Sequence, residues 1–320
     1  MFVTRRSVPI ATALNITERT SEPPKLRVFR RVRELYGYRE ILLNLVRKEL
    51  KVKYTASVLG AVWSLLNPVV FLIVFTFVVI VTNNNQPHFP VFLLSGLLAW
   101  NMFSISMAQG ARAVLDNANL VKKVYFPREL LPLAAIGVSL VDFVLQSGVL
   151  LLFMLVTRYH VSLDGLILYP LAVLTMVVFT VAVTFWVAAL NVRYRDVQHL
   201  VNLGLVVWFW FTPIVYSASV VQNYFVFGSP ENGAATHAAH AILWKAYLLN
   251  PLTSVIMGFQ RALYGVQHVT DDRGVHTVLP DVSIAWLAML LGGMLLASVI
   301  LLRFTWGTFF RRAGDFAEEL

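Results

Sequence analysis

The chain has 320 residues, 58% of them hydrophobic and 13% charged, with no cysteine and a formal net charge of +9. Soluble globular chains average roughly 45–50% apolar and about 25% charged, so a cytosolic enzyme, a disordered chain and a disulfide scaffold are excluded. Thiolate metal sites and cysteine nucleophiles are excluded with them.

Residues 1–33 read as a polar tail. They carry Arg5, Arg6, Glu18, Glu22 and Pro23-Pro24 and lack the continuous apolar stretch of a signal peptide. Residues 34–59 are too charged to cross a bilayer and too apolar to float free. Leu35, Tyr38, Leu42, Leu45 and Val46 recur at helical spacing, with Arg39, Arg47, Lys48 and Lys51 elsewhere around the wheel and Lys53 just beyond. This pattern predicts an amphipathic helix in the plane of the headgroups, where each basic side chain adds on the order of 1 kcal/mol beside anionic lipid. It reads either as a plain anchor or as a collector of anionic headgroups.

A membrane-spanning helix needs about 20 mostly apolar residues. Six windows meet this: 62–81, 89–111, 133–156, 166–190, 199–216 and 284–302. The fifth contains Pro213, which removes a backbone donor and is expected to bend or end it. An even number of spans puts both ends of the chain on one side. All but Arg158, Lys245, Arg261 and Arg273 of the 26 Lys and Arg fall on that side, half of all of them ahead of the first span. The positive-inside rule then makes both termini cytoplasmic, in a multi-pass protein of the cytoplasmic (inner) membrane. Sorted this way, the charge fits an anionic membrane surface rather than nucleic acid.

Between the second and third spans, residues 116–131 combine Lys122, Lys123 and Arg128 with Tyr125-Phe126 and Pro127. Lysines alone would mark an ordinary cytoplasmic loop, whereas the aromatic pair beside them reads as a docking surface for a cytoplasmic partner. Residues 217–283 form the longest outer connection. Its apolar patches 241–249 and 252–264, interrupted by Lys245, Asn250, Pro251 and Arg261, predict short re-entrant or capping helices, or else a further pair of spans.

Chemistry is sparse. No Gly-Lys dipeptide occurs, so no P-loop is possible, and there is no GxSxG or HExxH. Glu231, His237 and His240 make a weak metal set. Asp142 is the one carboxylate deep inside a span, with Gln146 a turn later. A charge there costs at least ~2.5–3.5 kcal/mol on insertion scales. It reads as a proton relay or polar lining, or as a buried interhelical hydrogen bond. Trp63, Trp186, Trp286 and Trp306 sit near span ends, as an interfacial belt does. Trp100, Phe103 and the run Trp208-Phe209-Trp210-Phe211 lie mid-span, where they would serve helix contacts or offer stacking faces to a passing saccharide.

The lead-in LYGYREILLNLVRKELKVKY (35–54), SVLGAVWSLLNPVV (57–70), NANLVKKVYFPRELLPLA (117–134) and NVRYRDVQHLV (191–201) together resemble the permease subunits of type 2 ABC exporters. The branch they resemble exports O-antigen, teichoic acid and related lipid-linked glycans. The resemblance implies an all-α integral membrane fold of six spans. An N-terminal interfacial helix precedes them, and short extracytoplasmic gate helices lie between the fifth and sixth. It implies two copies of this chain and two copies of a separate ATPase, which would hold the ATP and Mg; no cofactor belongs to this chain. Asn117, Lys122, Lys123, Tyr125, Phe126 and Arg128 would form the coupling segment. Arg39, Arg47, Lys48, Lys51 and Lys53 would attract the diphosphate of a polyprenyl-linked glycan at the lipid surface, and the mid-span aromatics would line its path. A cell-wall galactan, an O-antigen and a teichoic acid all fit as cargo. The rival readings are an ion-coupled secondary transporter, which needs ionisable pairs at the midplane, and a membrane-bound glycan transferase. The latter has only Asp271, Asp272, His268 and His276 to offer.

Overall fold

The structure, a computed structural model, describes residues 28–55, 62–81, 86–161, 163–226, 242–271 and 274–320. Two N-terminal helices, α1 (Val28–Gly37) and α2 (Arg39–Thr55), precede α3 (Val62–Val81), α4 (Phe89–Asp116) and the short α5 (Ala118–Lys123). Then come α6 (Leu130–Val156), α7 (Leu163–Leu166), α8 (Leu168–Arg193) and α9 (Val197–Trp210). The remainder comprises α10 (Ala218–Val226), α11 (Ile242–Leu248), α12 (Pro251–Leu263), strands β1 (His268–Asp271) and β2 (Gly274–Thr277), α13 (Ile284–Arg312) and α14 (Phe316–Glu319). The strands form an antiparallel hairpin with His268 opposite Thr277, a small departure from the all-helical expectation. Helix also begins at Val28, inside the stretch expected to be a polar tail.

Among the described residues four helices are long and apolar enough to cross a bilayer: Phe89–Asp116, Leu130–Val156, Asp164–Arg193 and Ile284–Arg312. The bent pair Ile242–Leu248 and Pro251–Leu263 passes the same test when taken as one span. The shortest of the four has 27 residues, about 40 Å at roughly 1.5 Å per residue, against a hydrocarbon core of about 30 Å. Two further expected spans are apolar but shorter, Pro68–Val81 within α3 and Val197–Trp210. Pro68 lies inside α3 and interrupts its hydrogen-bond ladder. The window 199–216 ends as helix at Trp210, because the following turn is tied to α12. Gln260 donates to the Pro213 carbonyl (2.9 Å), and Asn250 accepts from the Trp208 indole (3.0 Å). The last helix runs past the expected 302 to Arg312, carrying its basic final turn out of the apolar zone.

The outer connection supplies a bent pair, α11 and α12, at 77° to each other. Proline after Asn250 starts α12, and the Asn250 side chain caps it by accepting from the Leu252 amide (3.1 Å). Helix α12 is buried along nearly its whole length, wedged against α4, α8 and α13. The main core surrounds α4, the most deeply buried of the four long helices. A second cluster forms where α4 and α8 end, α6 begins and α13 finishes; Phe185, Phe309 and Phe316 stack there.

Gly165 in α7 faces the Arg261 carbonyl of α12 so closely that a Cβ would collide with backbone, whereas Gly148 meets open space. Overpacking of this kind costs about 1–3 kcal/mol. Gly165→Ala is therefore expected to lower the melting temperature of the detergent-purified protein, and Gly148→Ala to leave it in place. Equal melting of the two variants would contradict the α7–α12 contact.

Candidate functional site

The second cluster defines one pole of the molecule, and basic residues collect on it. Arg112 lies in the last turns of α4, Lys122 and Lys123 end α5, Arg193 ends α8, and Arg311 and Arg312 end α13. At its centre Glu129, just ahead of α6, has a fully buried side chain. Arg31 of α1 grips it with two 2.8 Å hydrogen bonds, and the Trp306 indole of α13 donates to the same carboxylate at 3.4 Å. Arg31 also bonds Glu34 (2.8 Å) and lies over the Phe310 ring. Burial pulls the Arg31 pKa down, but its bonds and charges with Glu129 and Glu34 outweigh this and raise it above the ordinary value. A carboxylate also suits the positive end of α6. Sequence reasoning assigned no part to Arg31 or Glu129 and placed Trp306 in a lipid belt. A Glu heading an apolar span was the available signal, but its partner lies 98 residues away.

The coupling segment is not one surface. Asn117 is a joint: its amide donates to the Ala113 carbonyl (2.9 Å) and its oxygen accepts from Lys48 of α2 (3.3 Å). Lys122 and Lys123 are exposed in the last turn of α5, where cations favour the helix dipole. Tyr125 is 96% exposed beside the exposed Val124, which the sequence did not single out. Phe126 is the correction: it is buried in the second cluster and anchors the segment instead of facing a partner. Arg128 is half-buried.

Asp142 is likewise not isolated. Lys53 of α2 pairs with one carboxylate oxygen at 2.5 Å, and Tyr54 donates to the other at 2.6 Å. Gln146, next on the same face of α6, accepts from Asn101 of α4 at 3.3 Å. The expected basic cluster on the interfacial helix is dispersed: Arg39 stacks over Tyr36, Arg47 reaches Asn44 (3.5 Å), Lys48 reaches Asn117, and Lys51 is exposed. Instead of resting on lipid alone, α2 packs along α6, with Leu45 buried and Val46 against Gly137. A cavity of about 260 Å³ opens between α2, α4 and α6, and its polar lining is Glu49, Lys53, Gln109, Arg112, Asp116 and Asn117.

Of the mid-span aromatics, Trp100, Phe103 and Phe209 are buried in one edge-to-face cluster with Phe179 and Trp208. They fill the core and do not face a path. Trp210 and Phe211 remain exposed, on a strip of α9 that includes Leu200, Leu203 and Val207. Glu231, His237, His240 and Asp272 lie outside the described residues. Among the described residues no three His, Asp or Glu side chains come together as a metal site.

The model of the ABC-2 type transporter family matches residues 41–229, from α2 through α10. An O-antigen export system permease protein of Myxococcus xanthus is 35% identical over 265 residues, covering 81% of this chain and 93% of that protein. Two of the same description from Klebsiella pneumoniae are 32% and 30% identical, covering 58% and 66% of this chain and 72% and 81% of their own length.

Removing one partner of a buried ion pair strands the other, at about 3–5 kcal/mol. Glu129→Ala should thus depress the melting temperature far more than Glu34→Ala, whose carboxylate is largely in solvent. Similar shifts for the two would show that the Arg31–Glu129 pair does not hold α1.

Proposed function

The chain belongs to the ABC-2 type transporter family, and from that premise we propose that it is the membrane permease of an ATP-driven exporter of a lipid-linked polysaccharide of O-antigen type. The observation that carries this reading is the near end-to-end match to the Myxococcus xanthus permease, 93% of whose length is aligned. That match favours an O-antigen-like glycan over a teichoic acid or a galactan. The cargo would carry a polyprenyl diphosphate, and ATP with Mg would be bound by a separate nucleotide-binding subunit, in keeping with a sequence that contains no Gly-Lys dipeptide.

In this reading α3, α4, α6, α7–α8, α9 and α13 are the six spans, residues 60–320 form the permease domain, and the basic pole faces the cytoplasm with both chain ends. Two copies pair and two ATPase subunits dock beneath them. The exposed face of Lys122, Lys123, Val124 and Tyr125 seats in the ATPase. Movement there passes to α4 through Asn117, which bonds the Ala113 carbonyl, and to α6 through Phe126, which is buried in the cluster where α6 begins. The apolar strip of α9, with Trp210 and Phe211, supplies the surface between the two copies along which the sugar chain slides. The bent α11–α12 pair and α10 form the outer gate. Lys48, Lys51, Arg39 and Arg47 draw the diphosphate to the α2 side. The Lys53–Asp142 pair is a feature an ion-coupled transporter would share, and it joins a span to the interfacial helix rather than two spans.

The docking assignment separates Tyr125 from its neighbour Phe126. Combined Lys122→Ala, Lys123→Ala and Tyr125→Ala in the permease co-expressed with its ATPase should lower ATPase co-purification at least tenfold while the permease melts normally. Phe126→Ala should instead destabilise the permease by about 3–5 kcal/mol, as loss of a buried phenylalanine does. Full ATPase recovery with the triple variant would overturn the assignment.

A further inference from the structure

We propose that Lys53 and Asp142 are the latch of a lateral opening between α2 and α6, and that a phosphate-bearing lipid headgroup releases it by competing with Asp142 for the Lys53 ammonium. The inference rests on the lipid-linked export reading above and names where such a headgroup acts. Asp142 sits in an apolar helix with its side chain 3% exposed, so its charge has to be met in place. The counter-charge comes from a different element, the last turn of α2, through Lys53, and Tyr54 holds the second oxygen. Two adjacent residues thus fasten the end of α2 to the middle of α6.

Further toward the pole the two helices touch closely, Val46 lying against Gly137, where the missing Cβ permits the approach. The cavity of about 260 Å³ lies between this seam and α4, and Lys53 lines it while bonding Asp142. A phosphate in the cavity would meet Lys53 and Arg112 together, beside Glu49 and Asp116, and would compete with Asp142 for the Lys53 ammonium, since both bonds are charge-assisted. Beside the latch the exposed surface of α2 mixes Val52, 66% exposed, with exposed Lys48 and Lys51, as an amphipathic helix at a lipid surface does. Asp142 is in this account a positioning residue, acting on the headgroup through Lys53.

The chain has no cysteine, which allows a clean locking experiment. A Cβ built on Gly137 lies 3.9 Å from the Val46 Cβ, within the 3.5–4.5 Å span of disulfides. Val46→Cys/Gly137→Cys in the full permease–ATPase complex, reconstituted in vesicles with a polyprenyl-diphosphate-linked glycan, should export normally when reduced. When oxidised it should lose at least tenfold in export, recovered by dithiothreitol. Equal export in both redox states would overturn the opening. Asp142→Asn, which leaves the Lys53 ammonium without that counter-ion, should raise glycan-independent ATP hydrolysis several-fold. The exchange Lys53→Asp/Asp142→Lys, which remakes the pair, should return it to the original rate. An unchanged rate in Asp142→Asn would show that the pair is not the latch. A wild-type complex that moves no lipid-linked glycan would overturn the export reading itself, and the latch with it.

Discussion

A carboxylate buried among apolar helices has to be neutralised where it stands, and α6 carries this requirement twice. Glu129 at its head and Asp142 in its middle are both nearly inaccessible, and each takes its counter-charge from the N-terminal helices, Arg31 from α1 and Lys53 from α2. Breaking either pair is costly because the stranded charge stays in low dielectric. The two pairs therefore fix α1 and α2 along α6 more firmly than the amphipathic surface of those helices could. Trp306 adds α13 to the same node, and Asn117 adds α5 through Lys48.

In the proposed cycle this arrangement makes the small helix α5 the mechanical link. It sits between the end of α4 and the start of α6, joined to α4 by the Asn117 bond to the Ala113 carbonyl and anchored on the other side by buried Phe126, with Lys122, Lys123 and Tyr125 left outward. A push on the outward side chains has few ways to dissipate before it reaches the span ends. The main core around α4 is close-packed and stitched at its far end by Asn250 and Gln260 to the turn after α9. Interiors of that density transmit displacement rather than absorb it.

Much of this was legible in the sequence. Apolar length located the helices from Val62 onward, often to within a few residues, and basic residues assigned to one side gather at one pole. Four quoted motifs identified the family that the match over residues 41–229 bears out. What escaped was set by distance along the chain. Lys53 and Asp142 are 89 residues apart and Arg31 and Glu129 are 98 apart, so neither pair leaves a local pattern. The same cause made Asp142 look like an isolated acid. Aromatic exposure failed for a related reason: Phe126 and Tyr125 are neighbours of similar shape, and only the tertiary contacts of α5 send one inward and the other out. The fifth span was overestimated because the partners that end it, Asn250 and Gln260, belong to α12.

A charge pair holds α2 to α6 at rest, and in the proposed cycle α2 leaves α6 during transport. Amide hydrogen exchange reports such local opening directly. Measured on the intact complex in lipid, with ATP and a polyprenyl-diphosphate-linked glycan present, protection should fall across residues 39–55 while residues 130–156 stay protected. Unchanged protection of α2 throughout turnover would contradict the account.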